Sequence, residues 1–349
     1  MAEQIRVLVV DDSTFMRGAL VRMIEKDPRF KVIDIAVNGK EGVEKAIALK
    51  PDVITMDVEM PVMTGLEALA EIMAGPRIPV VMVSTLTEAG AGTTLKALEL
   101  GAVDFIPKAL SDKDKNIFKG AEEIHNKLAA AAGAANGRAN VMAAQAAAAP
   151  KVALPNPASI TRVPAKIVLI GSSTGGPKAL QVLLSQLPNN IPVPVVIAQH
   201  MPPEFTLALA KRLDETCPPK IVEAKQGETL LPGTVYIAPG GMHLRIQPTG
   251  ITIEPDKGES PYKPSVDVLA ESAHRLFNKQ ILAVMLTGMG ADGAREFKKI
   301  KELGGYVIAQ DQATSVVYGM PRAVLENGGT SEVLPLDKIG NRIRSLLGV

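Results

Sequence analysis

Twice along this chain, short apolar runs rich in β-branched residues alternate with stretches of helical periodicity. The first series holds strand patterns at Ile5–Val10, Val32–Ala36, Val53–Met56, Val80–Val83 and Val103–Ile106. Between them lie helical patterns at Met16–Lys26, Gly39–Leu49, Thr64–Met73 and Thr93–Leu100. The second series begins near Lys166, with strand patterns at Ile167–Ile170, Pro194–Ala198, Thr234–Ala238, Ile281–Leu286 and Tyr306–Gln310. Near-continuous apolar strands are buried on both faces, and strand–helix alternation builds a parallel sheet with helices packed on each side. The alternation therefore predicts two doubly wound α/β domains.

What separates the two series is compositional. Leu128-Ala-Ala-Ala-Ala-Gly-Ala-Ala-Asn and Ala143-Ala-Gln-Ala-Ala-Ala-Ala-Pro are followed by Pro155 and Pro157. Alanine favours helix, but the stretch holds few large apolar residues with which to build a core, so it reads as a linker. The expected organisation is a domain over residues 1–125, a linker over 126–160 and a second domain over 161–349. At 349 residues, two domains also match the size at which single cores stop growing.

Charge excludes some function classes. With 38 basic and 37 acidic residues the net charge is +1, which gives no broad footprint for nucleic acid. No apolar run has the length and flanks of a transmembrane helix, so no membrane insertion is expected. Met1-Ala-Glu-Gln-Ile-Arg-Val runs directly into a strand pattern without a secretory leader. The single cysteine, Cys217, allows no intrachain disulfide and no cysteine-rich zinc site. These features fit a cytoplasmic protein, and a monomer is expected.

Ligands of parallel α/β sheets gather at the carboxyl ends of strands. Asp11 and Asp12 follow the first strand pattern and Asp57 follows the third. Three carboxylates brought together require compensation, and an all-oxygen set suits magnesium rather than zinc. Ser84 follows the fourth strand and Lys108 closes the fifth. A hydroxyl and an ammonium beside such carboxylates can receive a phosphoryl group.

The second domain opens with Lys166-Ile-Val-Leu-Ile-Gly171-Ser-Ser173-Thr-Gly175-Gly-Pro177, a strand broken by a small-residue turn before a helix. Gly171–Gly175 reads G-x-S-x-G, the pattern that presents a nucleophilic serine at a strand end. That register favours Ser173 over Ser172. A serine nucleophile needs a base, an orienting acid and an oxyanion hole. His200 ends the run Val193-Pro-Val-Val-Ile-Ala-Gln, at the same sheet edge. His243, after Pro239-Gly-Gly-Met, is the second choice; His125 lies by the linker and His274 in a helical pattern. Asp292, in the glycine-rich loop after Leu282–Leu286, is the first candidate acid, with Asp311 and Asp267 as competitors. The N–H groups of Thr174 and Met289 are the expected oxyanion donors. The order Ser, His, Asp differs from that of the α/β-hydrolases, so that connectivity is not expected.

Several phrases carry a family resemblance. Val9-Val-Asp-Asp-Ser, Met56-Asp57-Val-Glu-Met60-Pro61-Val-Met-Thr-Gly65, Val83-Ser84-Thr and Gly101-Ala-Val-Asp-Phe105-Ile-Pro-Lys108 resemble two-component receiver domains. The resemblance implies a flavodoxin-like receiver with Asp57 as phosphoacceptor and Asp11 and Asp12 holding Mg2+ with it. It also implies Ser84 and Phe105 as the switch pair and Lys108 as a phosphoryl contact. Where the family usually has proline after the lysine, this chain has Ala109, with Pro107 before it. Gly171-Ser-Ser-Thr-Gly-Gly-Pro, Ala198-Gln-His-Met-Pro-Pro, Tyr236-Ile-Ala-Pro-Gly-Gly-Met-His-Leu, Pro264-Ser-Val-Asp-Val-Leu and Leu286-Thr-Gly-Met-Gly-Ala-Asp-Gly resemble the catalytic domain of CheB-type chemotaxis protein-glutamate methylesterases. Ala309-Gln-Asp-Gln-Ala-Thr-Ser-Val-Val-Tyr-Gly-Met-Pro continues the likeness. This second resemblance implies a Rossmann-like esterase domain without a cofactor, in which Ser173, His200 and Asp292 are nucleophile, base and acid. It further implies methylated glutamates of chemoreceptors as substrate, glutamine deamidation at the same sites, a histidine kinase as phosphodonor, and an unphosphorylated receiver that covers the active site.

Three other functions compete. A nucleotide-binding second domain would need G-x-G-x-x-G, and Gly-Ser-Ser-Thr-Gly-Gly lacks the second glycine. A DNA-binding regulator would need a basic helix-turn-helix segment, which is not seen. The same esterase in a non-chemotactic signalling pathway is the remaining alternative.

Overall fold

The computed structural model describes residues 4–85, 87–108, 121–133, 162–258 and 260–349. Contacts divide the chain into two units, Met1–Ala147 and Ala148–Val349. Each is described by itself.

In the first unit, strands β1 (Ile5–Val10), β2 (Phe30–Ala36), β3 (Val53–Asp57), β4 (Val80–Ser84) and β5 (Asp104–Pro107) alternate with helices α1 (Thr14–Ile24), α2 (Gly39–Leu49), α3 (Gly65–Ala74) and α4 (Glu88–Leu100). All pairings are parallel and the strand order is β2-β1-β3-β4-β5. The chain leaves β1 for β2 on one side and returns to β3 on the other. The ends of β1 and β3 therefore flank a topological switch point, where parallel sheets leave a crevice. α1 starts two residues before the expected Met16, because the Ser13 hydroxyl caps the Met16 N–H at 3.3 Å. α4 starts well before the expected Thr93: Thr87 caps the Gly90 N–H, and the weak helix formers Gly90 and Gly92 hide this first turn from a periodicity reading.

A fifth helix, α5, spans residues 121–133. It runs through the point where the expected domain boundary lay. Its buried face is Ile124, Leu128, Ala131 and Ala132, packed with Val7, Val9, Val81, Val83 and Ile106 of the sheet. The i, i+4, i+7, i+8 spacing is that of an amphipathic helix. Alanine lets such a helix lie close on a sheet, so a count of large apolar residues does not reveal the contact. Residues 126–133 are thus part of the first core and not linker. The rest of the expected linker lies outside the described residues.

The second unit holds a seven-stranded, all-parallel sheet in the order β14-β13-β12-β6-β7-β9-β8. Its strands are β6 (Ile167–Ser172), β7 (Val195–Gln199), β8 (Lys220–Glu223), β9 (Thr234–Ile237), β12 (Ile281–Met285), β13 (Tyr306–Gln310) and β14 (Glu332–Leu334). The helices are α6 (Gly176–Leu184), α7 (Pro203–Thr216), α8 (Val266–Phe277), α9 (Ala294–Glu302), α10 (Met320–Glu326) and α11 (Leu336–Leu347). An antiparallel hairpin of β10 (His243–Gln247) and β11 (Gly250–Glu254) packs on α8, with Leu244, Ile246 and Ile251 in the core beside Leu269 and Ala273. The five expected strands are the sheet's centre. The hairpin strands were not among the expected ones, and the sheet's own two further strands, β8 and β14, are short edge strands with half-exposed residues, where the apolar signal fades. β6 lies between β7 and β12, so the switch point of this sheet is at the end of β6. The register pairs Ser172 with Gln199 and Gly171 with Met285, which sets the residues after these strands side by side.

Candidate active site

Ser173 follows directly on β6. Its own N–H donates to the Thr287 carbonyl at 3.1 Å, and its carbonyl accepts from the Gly176 N–H at 2.7 Å and from Gln199 Nε2 at 3.0 Å. The Thr287 hydroxyl donates to the Thr174 carbonyl at 3.0 Å. Both peptides around the serine are thereby fixed to the ends of the neighbouring strands. Ser172, the competing serine, is buried and donates its hydroxyl to Gln199 Oε1 at 2.7 Å. That bond ties it into the support of the turn. The Ser173 hydroxyl has no hydrogen-bond partner among the described residues and is only partly buried.

His200 follows β7, and its N–H donates to the Ser172 carbonyl at 3.0 Å. Its Nε2 lies 2.8 Å from Asp292 Oδ2. This takes the tautomer with the proton on Nε2 and leaves Nδ1 as the basic nitrogen. Nδ1 is buried and has no partner among the described residues.

Asp292 stands where the β12 loop meets the start of α8. Oδ1 accepts from the Ser265 hydroxyl at 2.8 Å and the Asp267 N–H at 3.1 Å; Oδ2 accepts from the Val266 N–H at 2.7 Å besides His200. Burial alone would raise its pKa, but the hydrogen bond and charge of His200 and the two N–H groups hold it below the ordinary carboxylate value. The glycine loop after β12 runs against the serine. A methyl group on Gly288 would come 2.8 Å from Ser173 Cβ and 2.4 Å from Met320 Sδ, so only glycine allows this approach. The next residue, Met289, has an N–H without an acceptor among the described residues.

The other candidates are engaged elsewhere. His243 Nε2 pairs with Asp256 at 3.0 Å, His274 Nε2 with Glu296 at 2.8 Å, and His125 Nε2 with the Met23 carbonyl at 2.7 Å. Asp311 caps its own turn through the Thr314 N–H at 3.0 Å. Asp267 donates its N–H to Asp292 and accepts from the Glu296 N–H at 3.2 Å.

In the first unit, oxygen atoms of Asp11, Asp12 and Asp57 lie within 4.8 Å of one another. Lys108 Nζ is 2.6 Å from Asp57 Oδ2 and 3.3 Å from Asp11 Oδ2. The Pro107-Lys108-Ala109 sequence therefore still delivers the ammonium to the pocket; Ala109 itself lies outside the described residues. Asp11 Oδ2 is buried and makes no hydrogen bond, its contact to Lys108 being an ion pair without hydrogen-bond geometry. Three converging carboxylates, of which Lys108 pairs with two, and a buried Asp11 oxygen that accepts no hydrogen bond fit a hard divalent cation. The Ser84 hydroxyl is held by Thr94 Oγ1 at 2.7 Å, against α4. The Phe105 ring is buried, with Lys127 Nζ 5.0 Å from its centre.

Comparison with known proteins settles the kinship. The CheB methylesterase family model matches residues 168–343, and the response regulator receiver domain model matches residues 7–117. The chain belongs to the CheB methylesterase family. A protein-glutamate methylesterase/protein-glutamine glutaminase 1 of Oleidesulfovibrio alaskensis is 44% identical, over 97% of this chain and 98% of its own length. Its counterpart in Geobacter sulfurreducens is 45% identical over 99% and 98%. The crystal structure of the Thermotoga maritima CheB methylesterase catalytic domain superposes with a TM-score of 0.50 at 44% identity, covering 51% of this chain and 97% of that one.

Sequence reasoning about this CheB-family chain missed several supporting residues. Gln199 holds both serines, and its place one residue before His200 at the same strand end was the available signal. Ser265, the cap of α8, also donates to Asp292. Arg17 is buried under the first site and donates to the carbonyls of Asp11 and Asp12 at 2.7 and 2.9 Å. Tyr262 stacks on His200, and nothing in a loop of mixed composition signals it.

Asp57 has the opposite electrostatic setting to Asp292. Burial pushes its pKa up; Lys108 draws it back, and the Asp11 charge adds to the rise. A carboxyl that titrates higher in the folded state opposes folding at neutral pH. The opposition is lost as pH falls through the folded pKa and is gone below the unfolded value of about 3.9. Asp57→Asn should therefore raise the unfolding midpoint of the first unit at pH 7 without divalent ions, with the gain shrinking to nothing near pH 4. Thermal unfolding of wild type and variant across that range checks this, and a lower midpoint at pH 7 would contradict it.

Proposed function

We propose that this chain is a phosphorylation-controlled protein-glutamate methylesterase that also deamidates glutamines, with Ser173, His200 and Asp292 as its catalytic residues. The observation that carries the reading is the hydrogen bond between His200 and Asp292 at the switch point that also presents Ser173. Ser173 Oγ attacks the glutamyl ester carbonyl while His200 Nδ1 takes its proton. Asp292 accepts from Nε2, fixes the tautomer and stabilises the imidazolium that forms. The oxyanion is met by backbone N–H groups, Thr174 and Met289 being the candidates. His200 returns the proton to the leaving group, so methanol departs from an ester and ammonia from a glutamine. Water then hydrolyses the glutamyl-serine with His200 again as base.

The substrate class follows from the family: methylated glutamates on chemoreceptors, whose demethylation serves chemotactic adaptation, on the cytoplasmic side of the membrane. No described helix of this chain is long and apolar enough to cross a membrane. In the first unit Asp57 is the phosphoacceptor and a histidine kinase the donor. Asp11, Asp12 and Asp57 would hold Mg2+, which when bound offsets the charge of the carboxylates and the incoming phosphoryl group. Lys108 remains as a fixed cation at Asp57. Adding up to two negative charges at Asp57 changes what Ser84 and Phe105 contact, and with them the face offered to the esterase unit. The unphosphorylated receiver is proposed to block that unit.

Ser173→Ala should lower methyl-ester hydrolysis on methylated receptor helices by about 10⁴-fold or more, while Asp311→Asn leaves it unchanged. Methanol release measures both; substantial turnover by Ser173→Ala would refute the assignment. Removal of the receiver unit should raise activity above that of the unphosphorylated full chain. Equal or lower activity in the same assay would refute the blocking role.

A further inference from the structure

The mechanism leaves one aromatic side chain beside the base unexplained. The Tyr262 ring stacks on the His200 ring with centroids 4.4 Å apart and planes only 5° from parallel. Its hydroxyl end reaches the glycine loop, where a methyl group on Gly290 would come within 2.6 Å of the phenolic oxygen. Tyr262 thus touches the base with its face and the loop bearing Met289 with its tip. Beside it an open polar cleft of about 360 Å³ is lined by Ser260, Tyr262, Ser265, Asp267, Asp292 and Arg295. The tyrosine lies half-buried on the wall of that cleft.

The segment that carries the ring is itself held. The Tyr262 N–H donates to Ser260 Oγ at 3.1 Å. The next residue, Lys263, accepts from the Gly241 N–H at 3.3 Å and pairs through Nζ with Asp256 at 3.2 Å. Three residues after the tyrosine, Ser265 donates to Asp292. The segment that places Tyr262 on the base therefore also supports the acid.

We infer that Tyr262 is a positioning residue for His200. One hydrogen bond, at Nε2, leaves the imidazole free to tip about the line to Asp292. Proton transfer from Ser173 requires the Nδ1 lone pair, which lies in the ring plane, to point at the serine oxygen. A parallel aromatic face fixes that plane. The same face attracts a cation, and His200 becomes a cation only as the serine is deprotonated, so the interaction strengthens toward the transition state. The effect of removing it falls on kcat rather than KM.

This inference rests on the assignment of Ser173 and His200 made above. In the full chain, treated with a small phosphodonor, Tyr262→Leu should lower kcat on a methylated receptor helix by roughly ten- to a hundredfold, with KM within about threefold of wild type. Labelling of Ser173 by a fluorophosphonate, which needs the base but not the receptor, should slow by a similar factor. Tyr262→Phe, which keeps the face, should stay within about threefold of wild type in both assays. Should Tyr262→Leu fail to fold, Tyr262→Met carries the same comparison. Wild-type kcat in Tyr262→Leu, a change confined to KM, or equal impairment of Tyr262→Phe and Tyr262→Leu would each overturn the role. A wild-type chain that neither turns over nor labels at Ser173 would overturn the active-site assignment itself and this role with it.

Discussion

Asp292 accepts hydrogen bonds from a histidine, a serine and two backbone N–H groups at the start of α8. These donors come from the end of β7 and from the N-terminus of a helix packed on the core, and the carboxylate comes from the loop after β12. One buried charge thus fastens three elements at the switch point of the sheet. A buried carboxylate without donors would take up a proton and lose its hold on the imidazole. With these donors it stays ionised, and the hydrogen bond that orients His200 depends on that.

The two units use one architectural device with opposite electrostatic settings. In each, a parallel sheet reverses its winding direction, and the side chains after the flanking strands meet in the crevice. In the esterase unit the crevice is rich in donors, and the carboxylate is held below its ordinary pKa. In the receiver unit it holds three carboxylates against one lysine and the buried Arg17 beneath them, and Asp57 is pushed up. The first setting suits a permanent counter-ion for a base. The second leaves a pocket short of positive charge, which suits a site completed by a cation and altered by a phosphoryl group.

Much of this was legible in the sequence because strand ends mark it. Asp11 and Asp57 follow directly on apolar runs, Ser173 and His200 come within three residues of the end of one, and Asp292 sits in the glycine-rich loop after another; a parallel sheet converts those positions into neighbours. What was not legible depends on contacts across the fold. α5 uses alanines as its buried face, so composition mistook its second half for a linker. β8 and β14 are edge strands with weak patterns. Tyr262 and Arg17 are placed by contacts with His200 and with the backbone of Asp11 and Asp12, and no local period or spacing records such a contact; Gln199 was marked only by its place beside His200. Ser172 and Ser173 were separable in sequence only by register; in the structure the bond from Ser172 to Gln199 distinguishes them.

Asp292 and His200 are together proposed to activate Ser173. The most direct measurement is the site and rate of fluorophosphonate modification, mapped by mass spectrometry in the wild-type chain and in Asp292→Asn. The account predicts modification of Ser173 alone in the wild type, slowed by about two orders of magnitude or more when Asp292 is replaced. Modification at Ser172, or an unchanged rate in Asp292→Asn, would contradict it.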